Sequence, residues 1–323
     1  MITKIHYKDH AEWLELRKGY IGGSDAAAVI GLNAYASPYS VWADKLGKLP
    51  EKEDREAMRL GRDLEEYVAQ RFTEKSGKRV RKCNYILVND KYPFAHANVD
   101  RLIVGDDEGL ECKTTSVLNL KNFKNGEFPD NYYCQCVHYL AVSERKRWYV
   151  AVLVLGKGFY IYQMTRIKDD ICPDWCESSL YVDDNEIAAL MGAEEEFWHY
   201  VETKTPPPVD GTESSSKAIT ALYPESNESV VDLFPMGNTL MAYNAVCAQI
   251  KTLEANKEAL ANEVKAYMKE AQGGENDKSR VSWKSSTRQT FDSKAFAKDH
   301  PNLSLAKYYK TTNVRTFKVT TIN

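Results

Sequence analysis

Over the first 76 residues the apolar positions recur at helical spacing. AEWLELRKG, SDAAAVIGL and SPYSVWADKLGKL are short amphipathic runs broken by glycine and proline. Ser24 reads as an N-cap, and Ser37-Pro38 is a good helix start. A longer helix is predicted from Glu53 to Ser76, with Leu60, Leu64, Val68 and Phe72 at spacing four and Gly77 beyond its end. From residue 80 the period shortens. VRKCNYILVND, FAHANVDRLIV and GLECKTTS predict three strands separated by the turn residues KYP and GDDEG. NYYCQCVHYLAVS (131–143) returns to helix, and RWYVAVLVLG with GFYIYQMTR predicts a hairpin around Gly156-Lys157-Gly158. An acidic helix over 184–202 closes this part, its Phe197 and Trp198 facing the sheet and its acids in water. Helix, three strands, helix, two strands describes an α/β core.

The Pro/Ser-rich stretch TKTPPPVDGTESSSK then changes the character of the chain. It divides a domain at 1–203 from a linker at 204–235 and an extension at 236–323. In the extension, Tyr243, Val246, Ile250, Leu253, Leu260, Val264 and Tyr267 alternate by three and four, with Lys257 at the one missing position. That is a heptad seam. It predicts a long helix packed on its own domain or in a hairpin, with a subunit contact as the alternative. VSWKSSTRQTF, a helix near SKAFAKDH and a final strand VRTFKVTTI follow.

Composition narrows the class. A chain of 323 residues, 43% hydrophobic, has room for about two domains. No run reaches the ~18 apolar residues of a membrane span. The charged start MITKIHYKDHAEW lacks a signal-peptide core, so a soluble, cytoplasmic protein of a bacterial or phage-infected cell is expected, without membrane contact. Seven cysteines fall at irregular spacings; neither CQC at 134–136 nor CPDWC at 172–176 makes a paired zinc frame, and reduced thiols are expected. The net charge of −3 hides an asymmetry: residues 278–323 hold ten Lys/Arg against two acids, while 169–202 hold eleven acids and no Lys or Arg. A basic tail on an acidic protein points to a local polyanion contact, against the plainer reading of solvated faces.

The candidate chemistry centres on GLECKTTS. Glu111 and Lys113, two apart on a strand, share one face. An edge-strand ion pair is the plain reading. A third residue sharpens it: Asp100 in HANVDRLIV lies at the end or turn of the preceding strand, within reach of Glu111. Two carboxylates and an ammonium suit a divalent metal and a water-activating group for phosphodiester hydrolysis. Asp-x10-Glu-x-Lys alone is a weak signal. Upstream, GRDLEEYVAQRF puts Glu65 mid-helix beside Leu64, either snorkelling outward or ligating. Downstream, Gln135 and Tyr139 share a helical face and either orient a phosphate or cap the sheet.

Taken in order, LRKGYIGGSDAAAVIGLNAYASPYSVW, GRDLEEYVAQRF, HANVDRLIV with LECKTTS, and the Gln135–Tyr139 helix resemble the PD-(D/E)XK nucleases. The branch is that of phage lambda exonuclease and the YqaJ-like viral recombinases, and the likeness spans roughly residues 11–165. It implies a restriction-endonuclease-like α/β core, a mixed sheet flanked by helices, with a helical and α+β C-terminal extension. It implies that Glu65, Asp100, Glu111 and the Cys112 backbone carbonyl surround two Mg²⁺ ions, with Mn²⁺ as a substitute. Lys113 would act on the attacking water, Gln135 would position lysine or substrate, and Arg17 and Ser24, with Tyr139 on the DNA side, would hold a 5′-phosphate. The motif's leading proline is replaced by Val99.

The resulting expectation is an Mg²⁺-dependent exonuclease that degrades one strand of duplex DNA from a 5′-phosphorylated end in the 5′-to-3′ direction. Relatives form rings of three and work with a single-strand annealing protein. KRVRK at 78–82 and the basic tail would face the duplex. A nicking or structure-specific endonuclease on the same fold, and a non-catalytic DNA-binding scaffold, are the alternatives.

Overall fold

The computed structural model describes residues 1–50, 54–123, 125–300, 303, 308–310 and 315–320. The chain divides into two units, Met1–Pro224 and Glu225–Asn323.

In the first unit the amphipathic runs form helices α1 (His10–Lys18), α2 (Gly23–Val29), α3 (Pro38–Lys45) and α4 (Glu56–Ser76). Ser37 caps α3 by accepting the Ser40 N–H at 3.1 Å. Gly77, at φ 70°, ends α4 in the left-handed region that glycine tolerates. Ser24 is not a cap. Gly22 holds that position, and its N–H donates to the Asp25 carboxylate at 3.1 Å, so Ser24 lies in the first turn with its hydroxyl directed elsewhere. Two short strands escape the pattern, β1 (Ile2–His6) and β2 (Ile21–Gly22). β1 is an edge strand with Thr3, Lys4 and His6 exposed and Ile2 and Ile5 only half-buried, so its apolar signal is thin.

Two of the three strands predicted between 80 and 115 are each broken in two. β3 (Val80–Lys82) parts from β4 (Tyr85–Asn89) at Cys83-Asn84, and β5 (Tyr92–Ala97) parts from β6 (Arg101–Ile103) at residues 98–100. β4 and β5 join β1 and β2 in a four-stranded sheet of order β1-β4-β5-β2. β3 and β6 join β7 (Glu108–Thr115), β8 (Arg147–Val154), β9 (Gly158–Thr165) and β10 (Ser178–Tyr181) in a six-stranded sheet of order β10-β9-β8-β7-β6-β3. The corner is invisible to periodicity because burial continues through it: Val99 is as buried as its strand neighbours. Asp100 therefore stands at a corner between sheets, one residue before β6.

β7 and β8 are parallel, with Glu111 opposite Val150, and α5 (Asp130–Ser143) makes the crossover. Cys134 through Ser143 are all buried, which explains a helix sequence with little polar face. α6 (Asp184–Glu202) turns Ile187, Leu190, Met191, Phe197 and Val201 inward. Its acids do not all face water: Glu194 is fully buried, 2.8 Å from His138 Nδ1, while His138 Nε2 donates to the His96 carbonyl. The first unit is thus an α/β core in which a mixed six-stranded sheet and a four-stranded sheet are flanked by helices.

Part of the stretch read as linker is a helix, α7 (Glu213–Leu222). Its Ser214 and Ser215 hydroxyls donate to Ser40 and Ser37 Oγ, each at 2.9 Å, tying it to the start of α3. The second unit holds α8 (Gly237–Met268), a hairpin of β11 (Gly273–Glu275) and β12 (Arg280–Ser282), and α9 (Ser293–Asp299). α8 carries no buried residue, against the expectation that its heptad face packs on its own domain. No strand forms over 315–320, and the remainder of VRTFKVTTI lies outside the described residues. Among the described residues no helix is long and apolar enough to cross a membrane, and all seven cysteines are unpaired.

Candidate active site

Strand geometry brings Glu111 and Lys113 to one face of β7, and they meet there. Lys113 Nζ donates to Glu111 Oε1 at 2.7 Å and to Gln135 Oε1 at 2.9 Å. Gln135, from the crossover helix α5, donates from Nε2 to the same Glu111 oxygen at 2.8 Å and to Tyr139 Oη at 2.9 Å. Tyr139 passes its own hydroxyl hydrogen to the Asn98 carbonyl at 2.9 Å. The Tyr139 ring is buried and its hydroxyl is engaged on both sides, so it braces Gln135. From the sheet corner, Asp100 accepts the Cys112 N–H at 2.8 Å. Glu65 on α4 is held by the buried Arg101, which also donates to the Asp100 carbonyl at 2.8 Å and to Glu66 at 2.9 Å.

The cluster is short of positive charge. Burial first, then Glu111 and Glu65, push the Asp100 carboxyl well above its ordinary range. Burial works against a charged Lys113, but Glu111 and Asp100 outweigh it and raise its pKa, so the ammonium is kept. Glu111 Oε2 is buried and receives no hydrogen bond. An unpartnered carboxylate oxygen beside a repelling carboxylate is the environment a cation relieves. As the side chains stand, no three His, Cys, Asp or Glu among the described residues are grouped to hold one ion. Glu65 is drawn to Arg101, Asp100 to a backbone N–H and Glu111 to Lys113. The donor types nonetheless fit a hard divalent cation: carboxylate oxygens and a nearby backbone carbonyl.

A second polar group forms around the start of α2. Arg17 Nη2 donates to Ser24 Oγ at 3.1 Å, joining the two residues expected to share a phosphate. Next to Ser24, Asp25 pairs with Lys45 at 2.7 Å; burial opposes its charge, but Lys45 and Arg17 prevail and hold it well below the usual carboxylate range. His96 stacks on Tyr20 with ring centroids 5.8 Å apart. Burial, then Lys45, depress it to about 3, so its imidazole is neutral. Gly23 couples this region to the Glu111 cluster. A Cβ there would lie 2.6 Å from the Tyr139 ring and 3.2 Å from Gln135 Cγ. Only a glycine lets α2 sit this close to the Gln135–Tyr139 face.

Residues 12–146 match the YqaJ-like viral recombinase domain. Over 325 aligned residues the chain is 34% identical to the uncharacterized protein YqaJ of Bacillus subtilis, covering 99% of this chain and 97% of that protein. The chain belongs to the YqaJ-like viral recombinase family. An alkaline exonuclease of Laribacter hongkongensis, LHK-Exo, is 18% identical with a TM-score of 0.48, over 60% of this chain and 93% of that one. The same enzyme in complex with dAMP gives 19% and 0.49 over the same shares. A phage related exonuclease from Haemophilus somnus 129PT gives 10% and 0.42, over 60% of this chain and all of that one.

Within the YqaJ-matching span lie Arg17, Ser24, Glu65, Asp100, Glu111, Cys112, Lys113, Gln135 and Tyr139. It also holds two residues that sequence reasoning missed. Arg101 follows Asp100 directly, and the only clue to it is a cation beside the acid in VDR. Tyr132 places its ring 5.1 Å from Lys113 Nζ, three residues before Gln135, where it reads as one more apolar position of the helix. Lys78, in the basic run assigned to the duplex, is engaged within the fold by Asp106 and Glu108.

Proposed function

We propose that this YqaJ-family protein is a metal-dependent deoxyribonuclease. It degrades one strand of linear duplex DNA, 5′ to 3′, from a 5′-phosphorylated end. The observation that carries the reading is the meeting of Glu111, Lys113 and Gln135 beside Asp100, with one buried Glu111 oxygen unpartnered. Glu65, Asp100, Glu111 and the Cys112 carbonyl would hold Mg²⁺, or Mn²⁺ in its place. When bound, such ions neutralise the scissile phosphate and make water nucleophilic near neutral pH.

The chain's own residues do the rest. Lys113 keeps its proton because Glu111 and Asp100 favour the ammonium, so it donates to the attacking oxygen and offsets the growing negative charge. Gln135 fixes the direction of that ammonium by accepting one of its hydrogens, and Tyr139 fixes Gln135. Arg17 and Ser24 supply a guanidinium and a hydroxyl to the terminal phosphate, which selects an end over an internal site. Ring assembly and work with a single-strand annealing protein in recombination belong to the same reading.

Digestion of a linear duplex with distinguishable 5′ and 3′ labels, in Mg²⁺ or EDTA, alongside a covalently closed circle, tests it. Loss of the 5′-labelled strand from linear DNA alone, stopped by EDTA, is the expected result. Cutting of the circle means an endonuclease on the same site, and an intact duplex in Mg²⁺ and Mn²⁺ alike leaves a DNA-binding scaffold.

A further inference from the structure

The seam of α8 is bare. Its seven apolar side chains run from 44% exposed at Tyr243 and Val264 to 90% at Tyr267. Phe317 meets Tyr243 edge-on at one end, with ring centroids 5.7 Å apart. The stripe extends about 36 Å along the helix. An apolar stripe of that length on a chain otherwise this polar calls for an occupant.

The order of residues along the seam says which. In heptad terms Tyr243, Ile250, Lys257 and Val264 take one core position, and Val246, Leu253, Leu260 and Tyr267 take the other. Read from the two ends towards residue 255, the outer three pairs of the seam match in kind and the central pair does not. Tyr243 mirrors Tyr267, Val246 mirrors Val264, Ile250 mirrors Leu260, and Leu253 mirrors Lys257. Each mirror pair joins one core position to the other, which is the layering of two identical helices running in opposite directions.

We propose that α8 is a homodimerisation helix whose occupant is the α8 of a second copy of this chain, paired antiparallel about residue 255. Aromatic meets aromatic at both ends and β-branched meets aliphatic between them. At the centre each Lys257 lies across from Leu253 and beside Glu254 of the second copy, so the one polar residue of the seam finds an acid. In a parallel pair in register Lys257 would face its own copy, two ammonium groups in an apolar layer. Charge complementarity thus selects the antiparallel arrangement. The dimer is independent of what the first unit catalyses, and it coexists with any contact that unit makes.

Sedimentation of the full chain measures it directly. Leu253→Asp with Leu260→Asp, both on exposed positions, is expected to halve the mass of the particle, and an unchanged mass overturns the proposal. Lys257→Leu removes the polar layer and is expected to tighten self-association about tenfold; a weaker or equal association overturns it too. Direction is read from a nitroxide on the exposed Cys247, with Cys172→Ser and Cys247→Ser as controls. Antiparallel helices place the two labels roughly 25 Å apart. A separation near the interhelical spacing, roughly 10 Å, would mean a parallel pair and refute the arrangement.

Discussion

Glu108 and Glu111 stand three residues apart on β7, both buried, and the fold treats them differently. Glu108 lies 2.7 Å from Lys78 and 2.8 Å from Arg147, and Arg147 turns its other edge to Asp170. Asp170 in turn accepts from Thr165 at 2.8 Å. Each Glu108 oxygen there lies against a cation, Oε2 against Lys78 and Oε1 against Arg147. Around Glu111 only Oε1 meets one: Lys113 lies 2.7 Å from it, while Oε2 is buried with neither an ion pair nor a hydrogen bond. A closed network holds the sheet together. An open one is incomplete until something cationic arrives, and that incompleteness is the ground on which it is proposed as the catalytic site.

The comparison breaks most visibly at Lys113. Lys113→Ala is expected to lower the cleavage rate roughly a thousandfold or more, while duplex binding and melting temperature stay near the wild-type values. Initial rates on end-labelled duplex, with binding measured in Ca²⁺, decide it. A rate within tenfold of wild type would make Lys113 a structural cation like Lys78.

Glu108→Ala should do the reverse. It leaves Lys78 and Arg147 without their shared acid. The loss is about 2–3 kcal/mol, below the value for a fully enclosed pair because the two cations are 25% and 27% exposed. Thermal melting should fall by roughly 6 °C. Cleavage per folded molecule should not change; a selective loss of activity at unchanged melting temperature would erase the distinction between the two glutamates.

Much of this contrast was legible before folding, and the illegible part has a physical pattern. Glu111 and Lys113 sit at i and i+2, so their meeting follows from strand geometry alone. Asp100 sits in a turn next to that strand. Arg101 to Glu65 spans 36 residues of sequence and two element types, and no local rule pairs them. The corner at residues 98–100 is hidden because a strand leaving one buried sheet for another keeps its apolar run. Ser24 reads as a cap because it follows two glycines, whereas the Gly22–Asp25 hydrogen bond takes over that task and releases the hydroxyl. In α8 the period is plain, but a period reports that a face is apolar and not what covers it. α4 shows the other outcome: its spacing-four stripe does bury Val68 and Phe72 in the core.

The same open-and-closed contrast recurs in miniature at Ser24 and Asp25. Asp25 is closed by Lys45 and the Gly22 N–H, while the Ser24 hydroxyl is reached by Arg17. Ser24→Ala is expected to reduce the preference for a 5′-phosphate over a 5′-hydroxyl end about tenfold, the worth of one hydrogen bond to a charged group. Asp25→Asn should leave that ratio alone and cost stability above about pH 4, where the native carboxylate is ionised and paired. Paired initial rates on the two kinds of end measure the first; an unchanged ratio would remove Ser24 from the phosphate site.

The smallest expected effect carries the opposite sign from Glu108. Asp100 is buried among like charges, and its pKa is raised, so ionising it costs the native state free energy in the absence of metal. A carboxyl whose pKa is higher folded than unfolded contributes stability at low pH and loses it as pH rises through the folded value. Asp100→Asn removes the group that must ionise. In EDTA the variant should therefore melt roughly 2–4 °C above wild type near pH 8, a gain of about 1 kcal/mol. The gap should close as pH falls to about 4, where Asp100 is protonated in the native state. Mg²⁺ should stabilise wild type and not the variant, reversing their order. Melting curves at both pH values, with and without Mg²⁺, read all three signs. If Asp100→Asn instead destabilises the metal-free protein at pH 8, then Asp100 belongs with Glu108 among the closed, structural acids.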